Sequence, residues 1–437
     1  MSGLLIASPM SGSGKTTFTL GLLRALKRRG TAIAPGKAGP DYIDPAFHVA
    51  ASGETCLNYD PWAMRDELLR TNAVRATAGR RLLVVEAMMG LFDGAADGTG
   101  SAADLAVLLK LPVIFVVNCS GLSHSVAALV RGYSQFDPNV MIAGVVLNNV
   151  AGARHEAMLR QALTATGINI VGVLHRDGAL HVPQRHLGLV QAAEHAALED
   201  FIEHAATMVE NHCDVDTLVS IAGWLGTIQS EANIDRLPPP GQRVAVARDL
   251  AFAFSYEHML FGWRRRGAEI CFFSPLADEA PPANSDAIYL PGGYPELHAA
   301  TLAAASTFKT GVLDAAERSI PIYGECGGYM VLGHALADAS GKEHAMLGLL
   351  PLVTSFAERK LHLGYRRLTA RQPFFWDMPL TGHEFHYATI ADERGTERLF
   401  DVENALGETL PPAGLRSGPV AGSFIHVVDM VAPAHDG

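Results

Sequence analysis

The sequence lacks an excess of positive charge and any long apolar segment. Its 437 residues carry 34 Lys and Arg against 45 Asp and Glu, a formal net charge of −11. This balance disfavours nucleic acid or an anionic membrane as the main partner, because both attract basic faces. No run reaches the roughly 18 apolar residues of a membrane-spanning helix, and the start "MSGLLIASPMSG" has no basic segment typical of a secretory signal. These absences predict a soluble cytoplasmic protein.

The sequence also lacks paired cysteines. It has five, all far apart and none in a CxxC pair: Cys56, Cys119, Cys213, Cys271 and Cys326. This usage fits a reducing compartment with mostly buried thiols, and it argues against a disulfide framework or a zinc site.

The length and composition predict two α/β domains. A chain of 437 residues that is 49% hydrophobic is too long for one core. In the first half, continuous apolar runs at 3–8, 81–88, 111–118 and 140–149 are typical of strands buried on both faces of a parallel sheet.

A polar and then proline-rich stretch at 226–241 is interpreted as a linker, although a surface loop within one domain is the alternative. After it, apolar runs that each predict one strand alternate again with helix-like stretches, at 243–248, 269–274, 286–293, 320–328 and 418–428. We therefore predict a first domain over 1–225 and a second over 242–437.

The stretch "GSGKTT" (12–17) follows one predicted strand and opens a helix over 16–30, which is the context of a phosphate-binding P-loop. Glycine lets the backbone N–H groups turn toward phosphate oxygens, Lys15 would reach the β and γ phosphates, and the Thr16 hydroxyl would bind Mg²⁺. One departure is Pro9, where the full pattern has glycine. The residues expected to bind ATP here are Gly12, Ser13, Gly14, Lys15, Thr16 and Thr17.

Further candidates follow the next strands. In "APGKAGPDYIDP" (34–45), Lys37 is a candidate second phosphate clamp, and Asp41 and Asp44 lie between prolines on what we expect to be a stiff loop. These carboxylates would hold Mg²⁺ or orient a substrate, or they would only cap a turn.

Three polar residues lie at or just beyond strand ends. Glu86 ends a buried strand, so it is expected to face the ligand crevice and is a candidate Mg²⁺ ligand, with helix capping as the alternative. Asp93 in "LFDG" is a weaker candidate, and Asn148 is a candidate for an adenine contact or a turn residue.

The segment "IPIYGECGGYMVLG" (320–333) reads as strand, sharp turn and helix, which places Cys326 on a nucleophile elbow. We expect the helix N-terminus to lower the pKa of this thiol. His426, taken to end a late apolar strand, is the expected base, and His383 and His386 are weaker competitors. The N–H groups of Gly292, Gly293 and Gly327 are expected to stabilise a tetrahedral oxyanion on the compound that the thiol attacks.

These motifs in their order resemble one family over essentially the whole chain: the a,c-diamide synthases of corrinoid biosynthesis, which act on cobyrinic or hydrogenobyrinic acid. The resemblance rests on "SGSGKTT", "KAGPDYIDP", "EAMMGLFDG", "VPQRHLGL", "LPGGYPELH", "YGECGGYM" and "GHEFHY". The first half is similar to dethiobiotin synthetase, with a P-loop NTPase-like, mostly parallel sheet. The second half looks like a triad-type, class I glutamine amidotransferase α/β domain.

The resemblance implies two half-reactions. Cys326 would release ammonia from glutamine with His426 moving protons, and ATP with Mg²⁺ would convert the a and c acetate carboxylates to acyl phosphates that ammonia displaces. It places Thr16, Asp41 and Glu86 near the metal, and it puts Asp41, Tyr42, Asp44 and Asp93 on substrate and catalytic loops. Arg185 and His186 in "VPQRHLGL" suit a polycarboxylate substrate, or a structural loop.

One position departs from the triad pattern. Triad amidotransferases place glutamate two residues after the histidine, and this chain has Val428 there. We therefore expect a Cys–His dyad or an acid supplied from elsewhere.

Other interpretations stay open. Overall likeness favours metal-free hydrogenobyrinic acid over its cobalt form, with nickel-sirohydrochlorin or the cobyric acid synthase reaction as alternatives. A ParA/MinD-like switch predicts lysine where Met10 stands and leaves Cys326 unexplained, while the intact Cys326 and His426 argue against an inactive scaffold. The partners expected are the corrinoid, L-glutamine and ATP, with no nucleic acid or membrane, and a homodimer is left open.

Overall fold

A computed structural model describes most of the chain in two compact units. The described residues are 2–178, 180, 184–185, 188–189, 197–222, 234–395 and 397–431, with the backbone alone at 184–185 and 188–189. One unit contains Met1–Trp62 and Asp66–Ile234, and the other contains Ala63–Arg65 and Asp235–Gly437.

The predicted domain limits of 1–225 and 242–437 stay a prediction. The structure changes from one unit to the other at Ile234, inside the predicted linker, but residues 226–233 of that linker lie outside the described residues.

The first unit is built on a seven-stranded parallel sheet with the spatial order β3-β2-β4-β1-β5-β6-β7. The strands are β1 Ser2–Ala7, β2 Ile33–Ala38, β3 Leu57–Tyr59, β4 Leu82–Glu86, β5 Val113–Asn118, β6 Ile142–Val150 and β7 Ile170–His175. Consecutive residues Leu4, Leu5 and Ile6 of β1 are all buried, so both faces of the sheet are covered. This confirms the parallel sheet expected from the continuous apolar runs.

Helices separate most of these strands. They are α1 Lys15–Arg28, α2 Asp44–Ser52, α3 Asp66–Ala76, α4 Ala102–Leu109, α5 Ser125–Phe136, α6 Ala153–Leu163, α7 Leu198–His212 and α8 Val215–Ala222. A two-stranded antiparallel pair, β8 Gln184–Arg185 and β9 Gly188–Leu189, follows β7. The P-loop between β1 and α1 lies at the carboxyl edge of the sheet, where β4 also ends, so strand ends and P-loop share one edge.

The second unit has a mixed ten-stranded sheet with the order β11-β10-β12-β13-β22-β21-β20-β17-β18-β23, and a smaller sheet with the order β15-β14-β16-β19. Its strands are β10 Arg243–Ala247, β11 Glu269–Phe273, β12 Ala287–Leu290, β13 Ile322–Glu325, β14 Ala335–Ala337, β15 Glu343–Ala345, β16 Leu352–Ser355, β17 His362–Ala370, β18 Leu380–His386, β19 Thr389–Glu393, β20 Arg398–Asn404, β21 Thr409–Ser417, β22 Val420–Ser423 and β23 Ile425–Met430. Its helices are α9 Glu257–Arg265, α10 Ala299–Ala304, α11 Ser306–Glu317 and α12 Gly327–Leu332.

The late apolar run at 418–428 forms two strands and not the single strand we predicted. β22 pairs in parallel with β13, whereas β23 pairs antiparallel with β18, and only Phe424 separates them. His426 is consequently the second residue of β23, so its predicted place at a strand end is wrong. An unbroken apolar pattern does not reveal such a change of partner, because both strands are buried.

Two expectations from composition can be compared with the described residues. The five cysteines are all free thiols, as their spacing predicted. In the part of the chain that the structure describes, no helix is both long and apolar enough to cross a membrane.

Candidate active sites

The P-loop has the backbone geometry that its glycines predicted. Gly12 and Gly14 adopt left-handed conformations with φ of 75° and 91°, and helix α1 starts immediately after Gly14. The Ser13 hydroxyl donates to the carbonyl of Met10 at 2.9 Å. A Cβ atom at position 14 would lie 2.1 Å from Asn148 Nδ2, so only glycine fits this turn.

Lys15 lies buried within this loop. Its Nζ donates to Ser8 Oγ at 2.9 Å and to the carbonyl oxygens of Met89 at 2.6 Å and Met10 at 3.4 Å. Burial lowers the pKa of Lys15 to about 8. The ammonium is therefore held by neutral acceptors, and an anionic phosphate would be a far better partner.

Glu86 joins three of the predicted residues at the end of β4. Its Oε1 accepts from Thr16 Oγ1 at 2.7 Å and from Lys37 Nζ at 3.0 Å, while its Oε2 lies 2.7 Å from His48 Nε2. Burial acts to raise the pKa of Glu86, but Lys37 and His48 outweigh it and hold that pKa below its usual range. The carboxylate is thus ionised although it is fully buried.

Asp44 does not lie on a loop as we expected. It is the first residue of α2 and is buried against Lys37, with which it forms an ion pair. The proline that suggested a stiff loop occupies the first helical turn, a position where proline is tolerated because no N–H partner is needed there. Burial and the neighbouring Asp41 raise the pKa of Asp44 to about 7.

Asp41 lies in the turn that precedes the same helix. Its Oδ1 accepts the backbone N–H groups of Ile43 at 2.8 Å and Asp44 at 3.0 Å, and its Oδ2 lies 3.6 Å from Lys37 Nζ. The capping role that we held as the alternative is therefore visible, and Asp41 also borders the cluster around Lys37.

The remaining candidate residues of the first unit differ in their burial and in their hydrogen-bond partners. Asn148, within β6, donates from Nδ2 to the carbonyl of Ser13 at 2.9 Å, so it supports the P-loop. Asp93 is exposed and accepts the N–H of Gly90 at 2.8 Å. Tyr42 and Thr17 are half-buried. For Arg185 only the backbone, in β8, is described, and His186 lies outside the described residues.

The sequence analysis missed His48 and Cys56. His48 is fully buried on α2, and its Nδ1 lies 3.5 Å from Cys56 Sγ. A signal for His48 was present, because a residue four positions after Asp44 lies on the same face of a helix. It was not used because we interpreted this segment as a loop.

Cys326 is on the elbow that its motif predicted. It links β13 to α12 with φ of 47° and ψ of −103°, a conformation that non-glycine residues rarely adopt. A Cβ at Gly328 would lie 1.9 Å from the carbonyl oxygen of Leu290, so glycine there lets the turn pack against β12. The elbow is thus a strained turn held by close backbone packing, which is typical of a nucleophile.

His426 lies beside Cys326 although 100 residues separate them in the sequence. A Cβ atom built on Gly292 would lie 3.1 Å from His426 Nε2 and 3.2 Å from Cys326 Cβ. Gly292 therefore faces both side chains, and the structure brings together the candidate nucleophile, the candidate base and one oxyanion candidate. His383 pairs with His426 across β18 and β23, and His386 stacks on Phe424.

The expected lowering of the Cys326 pKa is wrong for the resting protein. Burial raises the pKa of this thiol well above its usual value, and the hydrogen bond from the Gly327 N–H only partly opposes that effect. Burial, followed by the nearby His383 and His386, lowers the pKa of His426 to about 3. Both groups are consequently neutral at pH 7, so the pair is not a preformed thiolate and imidazolium.

The backbone around Cys326 presents the predicted oxyanion donors together. A Cβ atom at Gly327 would lie 2.9 Å from the backbone nitrogen of Gly293, so these two segments are in direct contact. The Gly327 N–H also acts to lower the pKa of the Cys326 thiol. This arrangement suits stabilisation of a tetrahedral oxyanion at the attacked carbonyl.

Val428 occupies the position where the triad pattern has its acid. The Val428 side chain is buried, and its carbonyl accepts a hydrogen bond from His258 Nε2 at 2.8 Å. A different carboxylate approaches the histidine: Glu325 Oε2 lies 3.7 Å from His426 Nδ1. The sequence analysis quoted Glu325 in its motif but gave it no role.

Three side chains on β17 and β18, those of His362, Glu384 and His386, lie close together but are not arranged as a metal centre. Ligand atoms of His362, Glu384 and His386 lie within 4.8 Å of one another. However, the two imidazoles are stacked with an interplanar angle of 6°, so their in-plane lone pairs do not converge, and Arg366 already pairs with Glu384 at 2.7 Å.

Replacing Gly292 by alanine is expected to lower glutaminase kcat by roughly 10²-fold or more, the scale of a disrupted oxyanion site. The added Cβ would lie 2.4 Å from His426 Cε1 and would displace the imidazole or the elbow. Glutamate release from glutamine alone is the measurement. Gly132→Ala is the control, since Gly132 lies in α5 without a left-handed φ and a Cβ there meets nothing within 4 Å. Wild-type turnover by Gly292→Ala would show that Gly292 does not border the reacting groups.

Comparisons with known proteins find a family match in each half of the chain. Residues 4–190 match the family model described as CobQ/CobB/MinD/ParA nucleotide binding domain, and residues 243–430 match that of the CobB/CobQ-like glutamine amidotransferase domain. Over the whole chain, similar relatives are named hydrogenobyrinate a,c-diamide synthase. A Sinorhizobium relative is 63% identical over 99% of this chain and 100% of its own. One from Brucella abortus is 63% identical with the same coverage, and one from Mesorhizobium japonicum is 48% identical over 97% and 98%.

Proposed function

The chain belongs to the hydrogenobyrinate a,c-diamide synthase family, and from that premise we propose that it amidates the a and c acetate carboxylates of hydrogenobyrinate with nitrogen from glutamine. The observation that carries this proposal is the 63% identity to named synthases over 99% of the chain. It agrees with the presence of a nucleotide-binding and an amidotransferase domain in one polypeptide. The enzyme is then a carbon–nitrogen ligase that uses glutamine as nitrogen donor.

The glutaminase half-reaction starts at Cys326. The sulfur attacks the side-chain amide carbon of glutamine, and His426 accepts the thiol proton through Nε2, the nitrogen nearest Gly292. The backbone N–H groups of Gly292, Gly293 and Gly327 stabilise the oxyanion. His426 then protonates the leaving nitrogen, so ammonia departs and a thioester remains, which water hydrolyses to glutamate.

The synthetase half-reaction occurs at the P-loop. A carboxylate is a poor electrophile, so one of its oxygens first attacks the γ-phosphorus of ATP, and ADP leaves. Ammonia attacks the resulting acyl phosphate and phosphate leaves with the carboxylate oxygen. Lys15 and Lys37 neutralise phosphate charge, since the first lies in the loop and the second is 3.0 Å from Glu86 at the same sheet edge.

The oxygen atoms at this edge fit a divalent cation. Thr16 Oγ1 and Glu86 Oε1 lie 2.7 Å apart, and hard oxygen donors of this kind suit Mg²⁺. We propose that these two residues hold Mg²⁺, which when bound supplies positive charge to the phosphates. Because Asp41 Oδ1 is committed to the N–H groups of α2, we assign Asp41 to positioning Lys37 and not to the predicted role of ligand.

The macrocycle is proposed to bind near the same edge. Tyr42, Asp44 and Asp93 follow β2 and β4, and we assign them to the orientation of the acetate side chains; Arg185 and His186 are proposed to contact its other carboxylates. We place the enzyme in the cytoplasm, in keeping with its five free thiols. The further proposal is that it needs neither nucleic acid nor a membrane, and the homodimer stays open.

The test of this function is a side-by-side assay of hydrogenobyrinate and its cobalt-containing counterpart with ATP, Mg²⁺ and glutamine, in which mass spectrometry counts the amidations. We expect two amidations of the metal-free substrate, in keeping with the name shared by the relatives. The a,c-diamide itself serves as the control and is expected not to react further. Amidation of the diamide, or of the cobalt form alone, would contradict the proposal.

A further inference from the structure

We propose that Glu325, the residue immediately before the nucleophile, is the acid that orients His426 and so completes a Cys–His–Glu triad. This inference rests on the proposed glutaminase role of Cys326. In the usual triad pattern the acid lies two residues after the histidine, but this chain has Val428 there. The proposal therefore gives the positioning role to a residue outside that pattern.

The first observation is the direction of the carboxylate. Glu325 Oε2 lies 3.7 Å from His426 Nδ1, the ring nitrogen on the side away from the nitrogen that accepts the thiol proton. Both side chains are fully buried, with 0% exposure of each residue. Once it is ionised, a carboxyl group on this side favours the tautomer that carries its proton on Nδ1, which leaves the Nε2 lone pair for the thiol.

The second observation is that Glu325 is fixed independently of His426. Tyr289 OH donates to Glu325 Oε2 at 2.7 Å, and the backbone N–H of Val427 donates to Oε1 at 3.1 Å. The first bond comes from β12 and the second from β23, the strand that carries His426 itself. Glu325 therefore ties the nucleophile strand β13 to the histidine strand.

The third observation is the electrostatic setting of this buried acid. A buried acid is costly unless it is paired, and burial raises the pKa of Glu325 to about 8 although Tyr289 and Val427 donate to it. An imidazolium at His426 would supply the missing positive charge. It forms when the thiol proton transfers, so the attraction is strongest in the step that needs it. Catalytic hydrogen bonds are often long before substrate binds, which agrees with the 3.7 Å separation.

The acid of the usual triad pattern and Glu325 lie on different strands relative to the histidine. In the triad pattern the acid follows the histidine on its own strand, whereas Glu325 precedes the cysteine on β13. Because β13 and β22 are parallel neighbours and Cys326 N–H donates to the carbonyl of Ser423 at 2.8 Å, the residue before the elbow is brought to the start of β23. Because Glu325 supplies the acid from β13, valine can occupy position 428 without loss of the acid.

Glu325→Gln is expected to lower the kcat of glutamine hydrolysis by about 10²-fold with little change in KM, because the amide no longer favours the productive tautomer or stabilises the imidazolium. Glutamate release from glutamine alone is measured, so the assay does not depend on the macrocycle. Glu393→Gln is the matched control: Glu393 also accepts a hydrogen bond from a buried tyrosine, Tyr329, at 3.0 Å, but it belongs to β19.

Tyr289→Phe is the second variant, for the case in which Glu325→Gln folds poorly. It keeps the carboxylate and removes one of the bonds that fix it, so a smaller loss, roughly 10-fold in kcat, is expected. Wild-type kcat in Glu325→Gln, or in Tyr289→Phe when the first variant does not fold, would overturn the proposal. So would a loss confined to KM. Cys326→Ser is assayed in parallel: if it still released glutamate, the proposed function of Cys326 would fail, which is a separate outcome.

Discussion

Replacing Cys326 by serine is expected to reduce glutamine-dependent amidation by several orders of magnitude, the scale of losing a nucleophile. Serine preserves the size of the side chain, but its hydroxyl is scarcely ionised and is a weaker nucleophile than a thiol. The loss should be pronounced here because both Cys326 and His426 are neutral in the resting protein. Attack depends on proton transfer to His426, and a hydroxyl proton is harder to transfer than a thiol proton.

Ammonium chloride should restore formation of the a,c-diamide by the serine variant. The rescue should improve as pH rises, because the fraction of neutral ammonia grows, and it should still require ATP and Mg²⁺. Cys271→Ser is the control, since Cys271 is a half-buried free thiol on β11 and is expected to have no role in the reaction. Failure of ammonia to rescue a serine variant that still binds ATP and hydrogenobyrinate would mean that Cys326 acts on the macrocycle directly.

The second large effect is expected at the other site, where Lys15→Ala should abolish amidation with either glutamine or ammonia. The Lys15 ammonium is held in the loop by Ser8, Met10 and Met89, and alanine would leave the γ-phosphate without this charge. Losing a positioned charge of this kind costs roughly 10²–10³-fold or more in kcat. Glutamate release from glutamine should remain detectable, because that chemistry uses Cys326 and His426.

The control for this variant lies on the same helix. Lys27 is exposed in the last turn of α1, so Lys27→Ala removes an equal charge without touching the loop. Diamide formation with ammonia is measured for both variants, together with their melting temperatures. Normal amidation by Lys15→Ala would refute the assignment of the P-loop as the site of phosphoryl transfer.

The sequence was sufficient to predict the elements that depend on local patterns. Continuous apolar runs predicted the parallel sheet of the first unit, and the glycines around Cys326 predicted the elbow between β13 and α12, because burial and steric freedom are properties of short segments. The identity of the family followed from the order of seven motifs.

The sequence was not sufficient where a role depends on residues brought together by the fold. The acid beside His426 was sought at Val428, two positions along the same strand, whereas the structure places Glu325 from another strand near the imidazole. The pKa of Cys326 was misjudged for a similar reason. Its neighbours in sequence suggested a helix terminus, but the burial that raises its pKa comes from distant segments.

The ion-paired cluster in the first unit shows the same limit. Lys37, Asp44 and Glu86 were each singled out, but not the fact that they contact one another within a buried group. His48 was missed because the prolines at 40 and 45 suggested a loop, whereas the second of them lies in the first turn of α2. Proline is compatible with a loop and also with the first turn of a helix, and contacts in the folded protein decide between the two.

The most direct test of the two linked half-reactions is a double-labelling experiment on the intact enzyme. Hydrogenobyrinate carrying ¹⁸O in its carboxylates and glutamine carrying ¹⁵N in its side-chain amide are incubated with ATP and Mg²⁺, and mass spectrometry follows both the phosphate and the diamide. The account predicts one ¹⁸O atom in each phosphate released during amidation and ¹⁵N at both the a and c amides. Phosphate without ¹⁸O would contradict the acyl phosphate, and a diamide without ¹⁵N would contradict the supply of nitrogen by Cys326.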